Sequence, residues 1–118
     1  MKSASAISTK SFNFALKIIR ANQILISSHK EYVISKQLLR SGTSIGANVA
    51  ESGGAFTRND FEFKLSLAYK EARETGYWLK LLMASNLLDP NLVDELIKDI
   101  EELQRLIGSS LITILTVK

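Results

Sequence analysis

The sequence predicts an all-α fold, an antiparallel four-helix bundle running up-down-up-down, and three observations predict it. The 118 residues include one proline and six glycines, so long stretches run without a helix breaker. Apolar residues recur at intervals of three and four, the period of a helix rather than a strand. Turn signals cut those stretches into four, with connections short enough to make successive helices antiparallel neighbours. Residues 1–9 are expected as a flexible N-terminal tail and 10–118 as one bundle domain. Helices of ~28 residues would be ~42 Å long, which makes the bundle a rod.

The first helix is expected to start between Ser8 and Ser11 and to reach Ser28. Its inner stripe is read as Phe12, Ala15, Ile19 and Ile26, widened by Leu16 and Ile18. His29 and Lys30 begin the turn. The second helix runs from Glu31 into Ser52-Gly53-Gly54, with Ile34, Leu38, Ile45 and Val49 inward. Gly53-Gly54 is a stop signal, because glycine accepts the left-handed conformation that closes helices. Thr57 with Asp60 three residues on resembles a capping box, with the shorter acid in place of Glu.

On the third helix Phe61, Leu65, Ala68, Ala72, Thr75, Leu79 and Leu82 alternate spacings of four and three, the seam of knobs-into-holes packing. Tyr77, Trp78 and Leu81 widen that surface. Asn86 to Asp89 forms a turn. Asp89-Pro90 then starts the fourth helix, since aspartate accepts from free amides as N-cap and proline suits the first helical position. Val93, Leu96, Ile100, Leu103, Ile107 and Leu111 face inward. The β-branched tail at 112–118 is read as a continuation of that helix.

The absence of cysteine excludes disulfides and thiolate metal sites. Residues 1–8 lack the apolar run of a secretory leader. The most apolar stretch, Leu106 to Val117, is too short to span a membrane and is interrupted by Gly108, Ser109 and Ser110. A cytoplasmic location is expected, with no membrane partner. Net charge is +3, unevenly spread. Residues 1–50 carry Lys2, Lys10, Lys17, Arg20, Lys30, Lys36 and Arg40 against the single acid Glu31. Residues 89–102 carry Asp89, Asp94, Glu95, Asp99, Glu101 and Glu102 against Lys98. That asymmetry fits a basic face for polyanions, opposed faces attracting each other between subunits, or two solvated surfaces.

Three features invite functional readings. Arg40-Ser41-Gly42-Thr43-Ser44-Ile45-Gly46 looks superficially like a phosphate loop, but no Gly-Lys-Ser/Thr follows and the context is helical. Gly42, Gly46, Ala50 and Gly54 recur every four residues, a bare helix face suited to close packing. A polar stripe, Gln37, Ser41, Ser44, Asn48 and Glu51, runs beside the apolar one. If the following turn centres near Ala55, antiparallel partners have residue numbers summing to about 111. Arg40 then stands opposite Glu71 and Gln37 opposite Glu74. A partly buried Arg40–Glu71 contact is expected to set register, with Asn48 satisfied separately. Catalytic carboxylates are the rival reading. A di-iron bundle, however, needs Glu-x-x-His motifs, and the one histidine is His29, in a turn.

The third feature is basic residues interleaved with phenols: Tyr69, Arg73, Tyr77 and Lys80 on helix three, beside Lys10, Lys17 and Arg20 on helix one. Such stripes suit nucleic acid, a subunit interface or plain solvent. No nucleophile elbow, Cys/His pair or His-Glu-x-x-His motif occurs. No enzyme, metal or cofactor is expected.

The run YVISKQLLRSGTSIGANVAE at 32–51 resembles the signature of the 23S ribosomal-RNA intervening-sequence proteins, a four-helix-bundle family. Asp60-Phe61 through Lys64-Leu65-Ser66, then KEARETGYWL at 70–79, is similar to that family's second block, and Ser11-Phe12 with Ala15 fits its first helix. The likeness covers residues 10–110. It implies a bacterial protein whose bundles assemble into a ring, typically a homopentamer. It also implies kinship with accessory proteins of diversity-generating retroelements, which bind nucleic acid and a reverse transcriptase. Gly76 stands where the family pattern has a larger, often acidic or polar residue, which implies local loosening of helix three.

The expected function is therefore a non-enzymatic homo-oligomer that binds RNA or DNA through a basic surface formed by Lys10, Lys17, Arg20, Lys36, Arg73 and Lys80. Five copies at +3 each would carry +15, enough for a real field. The alternative is a structural adaptor whose faces serve self-assembly and a protein partner. An antitoxin-like regulator fits the same residues.

Overall fold

A computed structural model describes residues 2–116, with side chains from Ala6 onward. It contains four helices in the order α1 (Lys2–His29), α2 (Ile34–Gly53), α3 (Arg58–Ser85) and α4 (Pro90–Thr116). They form a rod of 47 × 21 × 19 Å. Each helix packs on its two neighbours in chain order, and α4 closes the square against α1. Among the described residues the diagonal pairs, α1 with α3 and α2 with α4, do not come into backbone proximity.

The helix ends follow from local chemistry. Lys30 takes the left-handed conformation (φ 54°), and the Glu31 amide donates back to the Leu25 carbonyl at 3.0 Å. This is a left-handed closure made without glycine. Asn86 (φ 58°) closes α3 in a Schellman motif, its successor Leu87 donating to Leu82 and its own amide to Met83. Thr57 accepts from the Asp60 amide at 3.0 Å, and Asp89 accepts from the Asn91 amide at 2.8 Å, so both expected N-caps are formed. At the start of α2 the Glu31 carboxylate accepts from the Ser35 amide at 2.8 Å. The tail expected to continue α4 is helical to Thr116; Val117 and Lys118 lie outside the described residues.

The stripes on α3 and α4 are those expected. Leu65, Ala68, Ala72, Thr75, Leu79 and Leu82 are buried on α3, as are Val93, Leu96, Ile100, Leu103 and Ile107 on α4. Each such Leu or Ile contributes about 1.5–3 kcal/mol by leaving water. Helix α1 requires two corrections. It begins at Lys2 rather than near Ser8, so the segment expected as a tail is helical, and Ile7 is buried. Its core side is Ile7, Phe14, Ile18, Ala21 and Leu25, whereas Phe12, Leu16, Ile19 and Ile26, expected inside, face outward. The helix carries two apolar stripes, and only one fits the square.

The small residues of α2 divide likewise. A Cβ on Gly42 would stand 2.9 Å from the Ile18 side chain, so glycine there permits the close α1–α2 approach. A Cβ on Gly46 would stand 3.4 Å from the Ser11 carbonyl oxygen, an ordinary contact. Ala50, grouped with them from sequence, is exposed, and a Cβ on Gly54 would meet nothing closer than 3.7 Å. Gly76 does not loosen α3, which continues unbroken through Ser85. Its bare Cα makes room for Gln104, whose amide donates to the Ala72 carbonyl at 3.1 Å and ties α4 to α3.

Candidate functional site

The four seams of the square have different chemistry. Between α2 and α3, Arg40 reaches across to Glu71 (Nη1 to Oε2, 3.2 Å) and to Glu74 through Nη2, while its Nε donates to Gln37 at 3.3 Å. Glu71 is the more buried acid, its side chain 19% exposed against 47% for Arg40. The expected Arg40–Glu71 contact is thus present, and Gln37 joins the cluster through Arg40. Asn48 is satisfied on its own helix, donating to the Ser44 carbonyl at 2.9 Å. The sequence reading missed the donor that completes the cluster, Trp78 Nε1, which meets Glu74 at 2.9 Å. Its spacing of four from Glu74 was the available signal.

The Trp78 donor, followed by the Arg40 guanidinium, holds the Glu74 carboxyl below its ordinary range. Arg40 is raised in turn, chiefly by its hydrogen bond to Glu74. Beneath this cluster, buried Thr75 donates to Ser41 at 2.9 Å. Every carboxylate here is committed to a cation or an indole, so the arrangement orients helices and leaves no free acid–base pair.

Between α1 and α4 the uneven charge of the sequence resolves itself. Lys10 bonds Glu102 at 2.8 Å; Lys17 bonds Asp99 at 2.8 Å and Glu95 at 3.2 Å. The Asp99 bond leads in raising the Lys17 ammonium, and the Lys10 bond leads in lowering Glu102. Lys10 and Lys17 of the basic segment thus neutralise Glu95, Asp99 and Glu102 of the acidic one within one chain.

The six cations expected as one basic surface therefore do not form one. Lys10 and Lys17 are spent on α4, Arg20 lies exposed on α1 and Lys36 on the outside of α2. Arg73 and Lys80 stand on the α3–α4 seam, where Arg105 joins them beside Glu101. Of the interleaved phenols, Tyr69 lies over Gly108, where an added Cβ would come within 3.2 Å of its ring. Tyr77 is 58% exposed and packs edge-on against Trp78, with centroids 5.3 Å apart.

The α1–α2 seam presents the fourth kind of surface. Phe12, Leu16, Ile19 and Ile26 are 65%, 53%, 41% and 39% exposed along the outside of α1. One end of the rod also holds a cavity of about 430 Å³ among all four helices, walled by Ile7, Val49, Phe61, Leu65, Leu106 and Ile114. Its remaining lining is Ser, Thr, Ala and Gly, with no ionisable group. Among the described residues no three His, Cys, Asp or Glu side chains stand together as a metal site. No described helix is long and apolar enough to cross a membrane.

Comparison with known proteins agrees with the resemblance in the two sequence blocks. Residues 4–109 match the family profile described as 23S rRNA-intervening sequence protein. A crystal structure from Bacteroides thetaiotaomicron VPI-5482, of a protein with unknown function from the S23 ribosomal protein family, is 40% identical with a TM-score of 0.90. That alignment covers 92% of this chain and 97% of the other. No curated protein matches significantly. With the profile spanning nearly the whole chain and a four-helix square beneath it, the chain belongs to the 23S rRNA-intervening sequence protein family.

Proposed function

We propose that this chain is a non-enzymatic, self-assembling bundle whose oligomer serves as a scaffold. One observation carries the reading: four large apolar side chains stand in a row on the outside of α1, with Ala15 and Gln23 among them and no charge along the row. Continuous exposed apolar patches of this kind mark interaction sites. A ring of five, as the family resemblance implies, is the state we propose for the oligomer. The test is mass in solution for the chain and for its Leu16→Glu/Ile19→Glu variant. The parent should run as a multimer and the variant as a single chain of unchanged helicity. A parent that runs as one chain at high micromolar concentration contradicts the reading.

A second reading, nucleic-acid binding, is favoured by the α3–α4 seam, where Arg73, Lys80 and Arg105 gather beside Glu101 and Tyr77 offers an exposed ring. Assembly would multiply these cations and concentrate their field. Binding of this origin should weaken steeply with salt, because each phosphate contact releases counterions. Replacing Arg73, Lys80 and Arg105 with glutamine should abolish it, whereas replacing Lys10 and Lys17 should change it little. The reverse ranking, or no binding at 50 mM salt, would remove this reading. The same face could instead meet an acidic protein partner, which a nuclease-resistant pull-down would reveal.

A further inference from the structure

The core of the bundle is filled unevenly along the rod. Around the middle and towards the α1–α2 turn, Phe14, Ile18, Leu25, Leu38, Leu82 and Leu96 are at most 2% exposed. At the opposite end, where α2 turns into α3, the walls are still apolar but the space between them stays open. Ile7, Val49, Phe61, Leu65, Leu106 and Ile114 surround about 430 Å³ there. The sequence accounts for the gap. Where a bundle core takes large side chains, α2 ends in Ala50-Glu51-Ser52-Gly53 and α4 carries Gly108-Ser109-Ser110. Ala50, Ser52, Gly53, Ser109 and Ser110 all line the space, and a Cβ on Gly53 would meet nothing within 4 Å. Protein interiors are normally packed as densely as organic crystals, with few voids larger than a water molecule. An apolar cavity of about 150 Å³ already suffices to take up benzene, so this one is large.

We propose that this end cavity binds an uncharged, elongated aliphatic molecule carrying one hydroxyl or carbonyl group at its mouth. The site lies within a single chain and does not depend on the assembly proposed above. Its volume falls in the range of small-molecule sites, roughly 300–1,000 Å³, which are likewise apolar with a few polar groups. No ionisable side chain lines it, so a charged ligand would give up its hydration with nothing to replace it. Nearby Glu51 and Lys64 lie outside the lining and are bonded to each other at 3.2 Å. Hydroxyls supply the polar handle. Ser52 donates to the Val49 carbonyl at 2.6 Å and Thr113 to the Ser109 carbonyl at 3.0 Å, so both oxygens keep lone pairs for a ligand's donor. Ser8, Ser109 and Thr113 are exposed while Val49 and Leu65 are buried, which puts most hydroxyls towards solvent and the aliphatic wall inside. Shape favours a chain over a compact ring, because the lining runs from Leu106 to Ile114, about 12 Å of helix axis. Ordered water is a poor occupant of the deep part. Each molecule needs about 2–4 polar partners, and the side chains of Val49, Leu65 and Leu106 offer none.

N-phenylnaphthylamine, an uncharged dye that brightens in apolar surroundings, serves as the probe, with decanol and decanoate as competitors of equal chain length. The full chain should brighten the dye, and decanol should displace it at a concentration at least about tenfold below that needed of decanoate at neutral pH. Val49→Phe and Ser110→Phe add bulk to the lining, and each should weaken dye binding more than about tenfold with helicity kept. Leu16→Glu/Ile19→Glu, which alters only the outside of α1, should bind the dye as the parent does. Methyl resonances of the parent locate the site without any substitution: decanol should shift those of Ile7 and Ile114 and leave those of Ile19 and Ile26 in place. Where a filled variant loses helicity, these shifts decide. A parent that does not brighten the dye overturns the proposal. So do binding unchanged in both filled variants, binding lost in Leu16→Glu/Ile19→Glu, and shifts centred on Ile19 and Ile26. Decanoate competing as well as decanol overturns the uncharged class of ligand.

Discussion

On the side of α1 that meets α4, Lys10 and Lys17 find acids within 3.2 Å in the same chain. On its outer side, Phe12, Leu16, Ile19 and Ile26 are left in water, between 39% and 65% exposed. One helix thus shows both ways of treating a surface. The charged seam is complete within a monomer and asks nothing of a partner. The apolar face costs solvation free energy at every exposed methylene, about 25 cal/mol per Å², until something covers it. The lesson is that uneven charge along a sequence need not mark a binding face. Here it marks a helix pair, and the surface that needs a partner is the uncharged one.

The largest effect that sharpens this contrast comes from two phenylalanines on α1. Phe14 is 2% exposed and Phe12 65%. Phe14→Ala should cost ~3–5 kcal/mol of folding stability through the cavity it leaves. Phe12→Ala should leave the stability of a dilute single chain within about 0.5 kcal/mol. Denaturant titration at low and high protein concentration separates the two, since Phe12→Ala should matter only where the chain assembles. Equal losses at both concentrations would mean that the outer stripe is part of the fold.

Next in size is the α1–α2 approach. Gly42→Ala should destabilise by about 1–3 kcal/mol, because the new methyl meets the branched, fully buried Ile18 at 2.9 Å. Gly46→Ala should be neutral or stabilising by up to ~1 kcal/mol, since alanine improves helix propensity and its contact is an ordinary one. Melting temperatures that fall together would contradict the assignment of close packing to Gly42.

These two helices also show what was legible in the sequence. The stripes of α3 and α4 could be read because each helix offers one apolar face of adequate width. On α1 the residues Ile7, Phe14, Ile18 and Leu25 compete with Phe12, Leu16, Ile19 and Ile26, and hydropathy is blind to whether water is excluded by the same chain or another. The outer stripe therefore reads as core from the sequence alone. Arg40–Glu71 was legible because two antiparallel helices joined by a short turn fix their own register. The α1–α4 ion pairs join helices with no turn between them, so no turn fixes their register, and charge counts by segment concealed their pairing.

Smaller effects are expected from the ion pairs. Lys10→Gln and Lys17→Gln should each cost less than ~1 kcal/mol, as for other half-exposed pairs. The raised Lys17 stabilises the fold below its unfolded pKa, about 10.4, and that contribution disappears as pH rises through the higher folded value. The lowered Glu74 acts in the opposite sense. Its contribution is complete above the unfolded value of about 4.3 and disappears as pH falls through the lower folded one. Stability measured from pH 7 to pH 3 should therefore fall less steeply in Glu74→Gln than in the parent. An unchanged slope would separate Trp78 and Arg40 from the acid limb.

Sedimentation equilibrium of the parent beside Leu16→Glu/Ile19→Glu bears most directly on whether the bare face of α1 is an interface. The parent should have a whole-number multiple of the 13.1 kDa chain mass and the variant the chain mass itself, with equal helicity by circular dichroism. Two proteins of the same multimeric mass, or a parent that stays at 13.1 kDa, would contradict the account.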